Sequence, residues 1–206
     1  EQLSPQAERF GPSAALDILR DVLPGNGIMT SDVGAHLHLI GQKWPTPWSG
    51  AQLMTNGWSC MGYGIPAAIA AKLCHPELPV CAVVGDGGFL MAAGELAVAV
   101  RERLPIVFVL FADSELALIR IKQERRGNPV YGTPVGSTPV ADVQHPWLGH
   151  RVLHVVEFEW FVRHEDMEVP EALAAAVGAV PQRDRIDVVH IAQIDLPVRL
   201  DHAIRH

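Results

Sequence analysis

The chain of 206 residues carries a formal charge of −7, with 49% hydrophobic and 19% charged residues. That balance describes a packed globular protein rather than a disordered one, and the acidic excess offers no general attraction for nucleic acid. No apolar run reaches the length of a membrane span, and the first residues lack the basic start and apolar centre of a secretory leader, so a cytoplasmic protein is expected.

The three cysteines, Cys60, Cys74 and Cys81, form no CxxC pair, and any disulfide scheme leaves one over, which fits a reducing compartment. Ten histidines invite a search for a transition-metal site. HxxH and HExxH spacings are absent, however, and His36 and His38 are only two apart, so zinc is not expected.

Residues 12–22 place apolar side chains at Ala15, Ile18, Leu19 and Val22, a helical period capped by Ser13. Pro24-Gly25-Asn26-Gly27 stops it. Ile28 to Thr30 reads as a short strand closing on Ser31-Asp32-Val33-Gly34, followed by a helical stretch over 37–42 and a Pro/Trp loop over 43–50. From 62 to 73 small residues dominate a helix that tolerates Pro66 in its first turn.

Next comes the most informative stretch. An apolar strand over 80–84 breaks into a tight turn at Gly85-Asp86-Gly87-Gly88, a crossover helix occupies 94–103, and a second apolar strand over 106–111 ends near Asp113. A parallel βαβ unit puts the carboxyl ends of both strands at one edge of the sheet, so Asp86 and Asp113 are delivered to the same place. Two hard oxygen ligands beside glycines whose amides open a helix suit Mg²⁺ or Ca²⁺ holding a diphosphate, with Gly87 and Gly88 offering N–H groups.

Beyond Gly136 a strand is expected over 151–158, a helix over 170–180 and a last strand over 187–194. The expected whole is one domain over 1–206: a three-layer, doubly wound α/β fold on a mostly parallel sheet of about five or six strands.

At these residues the chain resembles the diphosphate-binding domain of thiamine-diphosphate enzymes, specifically those like acetolactate synthase. The resemblance rests on Gly85-Asp86-Gly87 with a downstream polar strand end, on the Met61-Gly62-Tyr63-Gly64-Ile65-Pro66 segment, and on Leu118 to Gln123; it runs from about Thr30 to Gly136. It implies thiamine diphosphate and Mg²⁺ as cofactors, with Gly85 in the diphosphate loop. Asp113 takes the place of the second Asn of the family's pair, whose side chain binds the metal, Ala112 replaces the first, and Glu115 supplies a main-chain carbonyl to the metal. His36, in a segment similar to VGQH but with Ala35 for Gln, is implied to reach the diphosphate. Met61 is implied to prop the cofactor in its folded form, the catalytic contribution, and the Ser59 carbonyl to meet the aminopyrimidine. Lys122 stands where some relatives carry a tryptophan lining the substrate channel.

The implied activity is decarboxylation of a 2-oxo acid with acyl transfer. Such enzymes also need a glutamate from a pyrimidine-binding domain, and no segment here resembles that domain, so a partner domain or subunit and an oligomer are expected. Two other readings stand beside this one: a non-catalytic relative that keeps the fold, and a Rossmann-type nucleotide-binding domain. Gly85-Asp86-Gly87-Gly88 lacks the third glycine that the latter requires.

Overall fold

The structure, a computed structural model, describes residues 12–135 and, as backbone, the strands Leu153–Phe158 and Ile186–Ala192. Six strands form one sheet: β1 (Ile28–Ser31), β2 (Gln52–Met54), β3 (Val80–Gly85), β4 (Val107–Ala112), β5 (Leu153–Phe158) and β6 (Ile186–Ala192). Their order is β2-β1-β3-β4-β6-β5 and every pairing is parallel. The doubly wound α/β expectation therefore holds, and the sheet is wholly parallel. The helices are α1 (Pro12–Val22), α2 (Ala35–Lys43), α3 (Gly64–Cys74), α4 (Asp86–Ala92), α5 (Leu96–Arg101) and α6 (Ala117–Arg125).

The period of two along each strand builds the three layers. Val80, Ala82 and Val84 of β3, with Phe108 and Leu110 of β4, pack on one face with Ile65 and Ile69 of α3, Phe89 of α4 and Leu96 of α5. Cys81 and Val83, with Val107, Val109 and Phe111, face the opposite way onto Leu16 and Leu19 of α1 and Ile40 of α2. Both faces are covered, which is why β3 and β4 read as continuous apolar runs rather than alternating ones. Cys81 is a buried core thiol, as its sequence position suggests, and burial pushes its pKa up to about 12.

Three elements differ from the sequence reading. The strand β2 was not foreseen: it has three half-buried residues and follows directly on the Pro/Trp loop. The residues read as a tight turn at 85–88 form a helix instead, since Gly85 is extended (φ −87°, ψ 161°) and α4 begins at Asp86. The crossover is thus two short helices joined by a single 3-10 turn, Ala93–Glu95, not one helix over 94–103. The two C-terminal strands lie close to their expected places, while the helix expected over 170–180 falls outside the described residues. No helix among the described residues is long and apolar enough to cross a membrane.

From β1 the chain moves outward to β2 and then returns to the other side of β1 to form β3. The strand order reverses between β1 and β3, and open α/β sheets bind ligands outside the carboxyl ends of the strands at such a reversal. The loops after β1, β3 and β4 therefore bound the candidate site.

Candidate functional site

Asp86 is the first residue of α4, and its carboxylate is almost buried. Oδ1 accepts the Gly87 N–H at 2.7 Å and Oδ2 accepts the Ser114 N–H at 2.6 Å. The second bond ties the end of β3 to the loop after β4, so the carboxylate fixes the relative position of two strand ends. Asp113 lies one residue beyond β4, and its Oδ1 accepts the Glu115 N–H at 3.2 Å. Burial, followed by the negative charge of Asp86, pushes the Asp113 carboxyl up to about 6. The two aspartates thus converge closely enough to repel one another, and a divalent cation relieves that repulsion.

No group of three His, Cys, Asp or Glu side chains able to hold a metal occurs among the described residues. Two carboxylates completed by backbone, water and phosphate oxygens are a donor set that Mg²⁺ accepts and zinc does not favour. The Glu115 carboxylate is directed elsewhere: Arg120 of α6 donates to it at 2.6 Å and also pairs with Glu124. Its side chain is therefore engaged away from the carboxylate pair. The loop itself is held on its far side, where the Leu116 N–H reaches the Thr133 carbonyl and the Val135 N–H reaches the Ser114 carbonyl. Ser114 adopts φ 60°, a left-handed conformation that such bracing sustains.

His36 occupies the first turn of α2, packed edge-on against Phe111 with ring centroids 5.9 Å apart. Glycines flank it by necessity. A Cβ at Gly34 would come within 2.7 Å of His36 Cε1, and one at Gly85 within 3.3 Å. The ring bonds to the Asp32 backbone, while its Nε2 is buried without a hydrogen-bond partner. Burial lowers its pKa to about 4. His36 lines the same cavity as the carboxylates, and its buried, unpartnered ring nitrogen is a polar group that a ligand would satisfy.

Ser59 and Met61 lie on the loop before α3, where Ser59 has φ 53° and Gly62 has φ 82°. A Cβ at Gly87 would lie 2.9 Å from Leu116 Cδ2 and 3.1 Å from Met61 Cε, so the bare backbone at Gly87 leaves open a floor that any other residue would fill. The cavity above that floor is lined by every residue singled out from the sequence: His36, Ser59 and Met61 from one side, Gly85 to Gly88 below, and Asp113 and Glu115 from the other. Leu116, Leu118 and Ile119 form an apolar wall, and Lys122 also lines it.

Sequence reasoning passed over Asp32. It follows β1, is fully buried, and accepts the Val33 N–H at 2.7 Å and the Gly62 N–H at 3.0 Å. A Cβ at Gly88 would collide with its Oδ2, which gives Gly88 a packing reason quite apart from any phosphate. An acid at a strand's carboxyl end, two residues before a glycine, partly resembles the pattern at Asp86, but nothing in the sequence points to its partner Gly62.

Residues 32–191 match the family described as thiamine pyrophosphate enzyme, C-terminal TPP binding domain. Among curated proteins, the chain is 33% identical over 132 residues to the acetolactate synthase large subunit of Lactococcus lactis subsp. lactis, covering 62% of this chain and 23% of that protein. It is 29% identical over 135 residues to an acetolactate synthase of Bacillus subtilis, covering 66% and 24%. It is 33% identical over 115 residues to a 3D-(3,5/4)-trihydroxycyclohexane-1,2-dione hydrolase of Clostridium perfringens, covering 56% and 18%. The chain thus spans less than a quarter of the length of these relatives. A thiamine diphosphate-dependent 4-hydroxybenzoylformate decarboxylase of Rhodococcus jostii superposes with a TM-score of 0.74 at 15% identity, over 95% of this chain and 35% of that one, a likeness of fold.

Proposed function

The chain belongs to the thiamine pyrophosphate enzyme family through its C-terminal cofactor-binding domain, and on that premise we propose that it supplies the diphosphate and metal half of an active site that decarboxylates a 2-oxo acid and transfers the acyl group. The observation that carries this reading is the convergence of Asp86 and Asp113 beside the orphaned His36 Nε2 at the sheet's reversal point. In this reading Asp86 and Asp113 hold Mg²⁺ with the Glu115 carbonyl, the Gly88 amide and His36 receive the diphosphate of thiamine, and Gly87, whose N–H is held by Asp86, leaves room for its approach. When bound, thiamine diphosphate supplies the electron sink for breaking the bond beside the substrate's carbonyl. Met61 and the Ser59 carbonyl orient it, and the apolar wall of Leu116, Leu118 and Ile119 keeps water from the reacting end.

Two of the relatives are named as acetolactate synthases, which supports 2-oxo acid chemistry. Because the chain spans so little of their length, the proposal assigns the remainder of the site, including the glutamate that activates the pyrimidine ring, to a pyrimidine-binding domain or subunit in an oligomer. A cytoplasmic setting accords with the three unpaired thiols. A non-catalytic relative is the second reading, favoured by Ala112 in the place of the first Asn of the family's pair.

Thermal unfolding separates the two. A ligand that binds only the folded chain stabilises it by about 2.7 kcal/mol at a hundredfold excess over Kd, or roughly 5–10 °C for a chain of this size. Mg²⁺ with thiamine diphosphate is expected to give that gain, and thiamine diphosphate with a chelator is not. A melting temperature indifferent to both overturns the binding proposal.

A further inference from the structure

We propose that Asp32 is a positioning residue whose buried carboxylate locks the loop carrying Ser59 and Met61 against the first turn of α4, and so sets the shape of the site; this rests on the cofactor reading above. Burying an ionised carboxylate is costly unless donors surround it. Here the donors come from separate parts of the chain. Oδ1 takes the neighbouring Val33 N–H, whereas Oδ2 takes the N–H of Gly62, 30 residues away in sequence. The same Oδ2 lies where a Cβ of Gly88 would be, so the carboxylate fits between the Gly62 turn and α4 only because position 88 is bare.

Two further contacts confirm that the end of β1 organises these pieces. Thr30 Oγ1 donates to the Gly64 carbonyl at 2.8 Å, pinning the start of α3. The Asp32 backbone holds the His36 ring. Asp32 therefore reaches Met61 through Gly62, Gly87 through Gly88, and His36 through its own main chain, without lining the cavity itself. A residue needed only to fill space there would be apolar. This one is a charge whose acceptor atoms set a spacing.

The Asp32→Asn variant tests it, because the amide keeps the volume while one oxygen becomes a donor that faces an N–H. A charge-assisted hydrogen bond of this kind is worth about tenfold to hundredfold in an equilibrium. Calorimetric titration of the full chain with thiamine diphosphate and Mg²⁺ should show that loss of affinity, and the Gly62 amide should exchange faster in the ligand-free variant. A second pair guards against simple misfolding. Gly88→Ala displaces the carboxylate in the wild-type background, whereas an Asp32→Ala background removes all three atoms that the new Cβ approaches most closely, so the affinity losses should be markedly less than additive. Undiminished affinity in Asp32→Asn, unchanged Gly62 exchange, or additive losses overturn the positioning role. Wild-type protein that binds no cofactor overturns the function proposed above, and the positioning role with it.

Discussion

Replacing Asp86 with alanine is expected to remove Mg²⁺-dependent binding of thiamine diphosphate, lowering affinity by about a hundredfold or more. Three losses coincide in this variant. On the proposed reading, a hard oxygen ligand disappears from a donor set that, among the described residues, holds two carboxylates, Asp86 and Asp113. The Ser114 N–H loses its acceptor at 2.6 Å, and a charge-assisted bond of that length contributes about 1.5–3 kcal/mol. The loop after β4, which carries Asp113, then loses its tie to α4 and to the end of β3. Calorimetry measures the affinity directly, and a Kd unchanged from wild type removes Asp86 from the site. Glu115→Gln is the matched control. Its carboxylate is engaged by Arg120 rather than by the aspartate pair, so affinity should change by no more than about threefold, the scale of a partly exposed ion pair.

That contrast between Asp86 and Glu115 shows what a sequence can and cannot carry. Asp86 and Asp113 were legible because the βαβ rule turns a linear pattern into a spatial one: two apolar runs, a crossover and an acid after each must meet at one sheet edge. The layers were legible for the same reason, since strands buried on both faces read as unbroken Val, Leu and Phe. The start of α4 was not. Gly-Asp-Gly-Gly is a turn by local preference, and here tertiary demands override it: Gly87 must stay bare for Met61 and Leu116, and Gly88 for Asp32. The strand β2 escaped because three half-buried residues carry too little period to register. Asp32 escaped because its partner Gly62 is remote in sequence, and no spacing rule joins the end of β1 to the loop before α3.

His36 and Asp113 make opposite contributions to the pH dependence of stability, and their opposition is itself measurable. Burial holds His36 at about 4, below its ordinary 6.5. Between those values the unfolded chain binds the extra proton, so stability rises with pH across the window and is lost as pH falls through it, by up to about 3 kcal/mol. Asp113 stands at about 6, above its ordinary 3.8. Over that range the folded chain binds the extra proton, so stability falls as pH rises, by a similar order of magnitude. Asp32, also raised by burial, acts in the same sense as Asp113. Urea unfolding of the chelator-treated protein should therefore show, from pH 4 to 6, the rise due to His36 set against the falls due to Asp113 and Asp32. His36→Gln should uncover a decline with rising pH, and Asp113→Asn a rise toward pH 6.5. Mg²⁺ should move the wild-type profile toward that of Asp113→Asn, because a cation favours the ionised carboxylate. Profiles that stay parallel in all three proteins would mean that neither group is held in the surroundings described for it, and the electrostatic case for a cation between the two aspartates would fail with them.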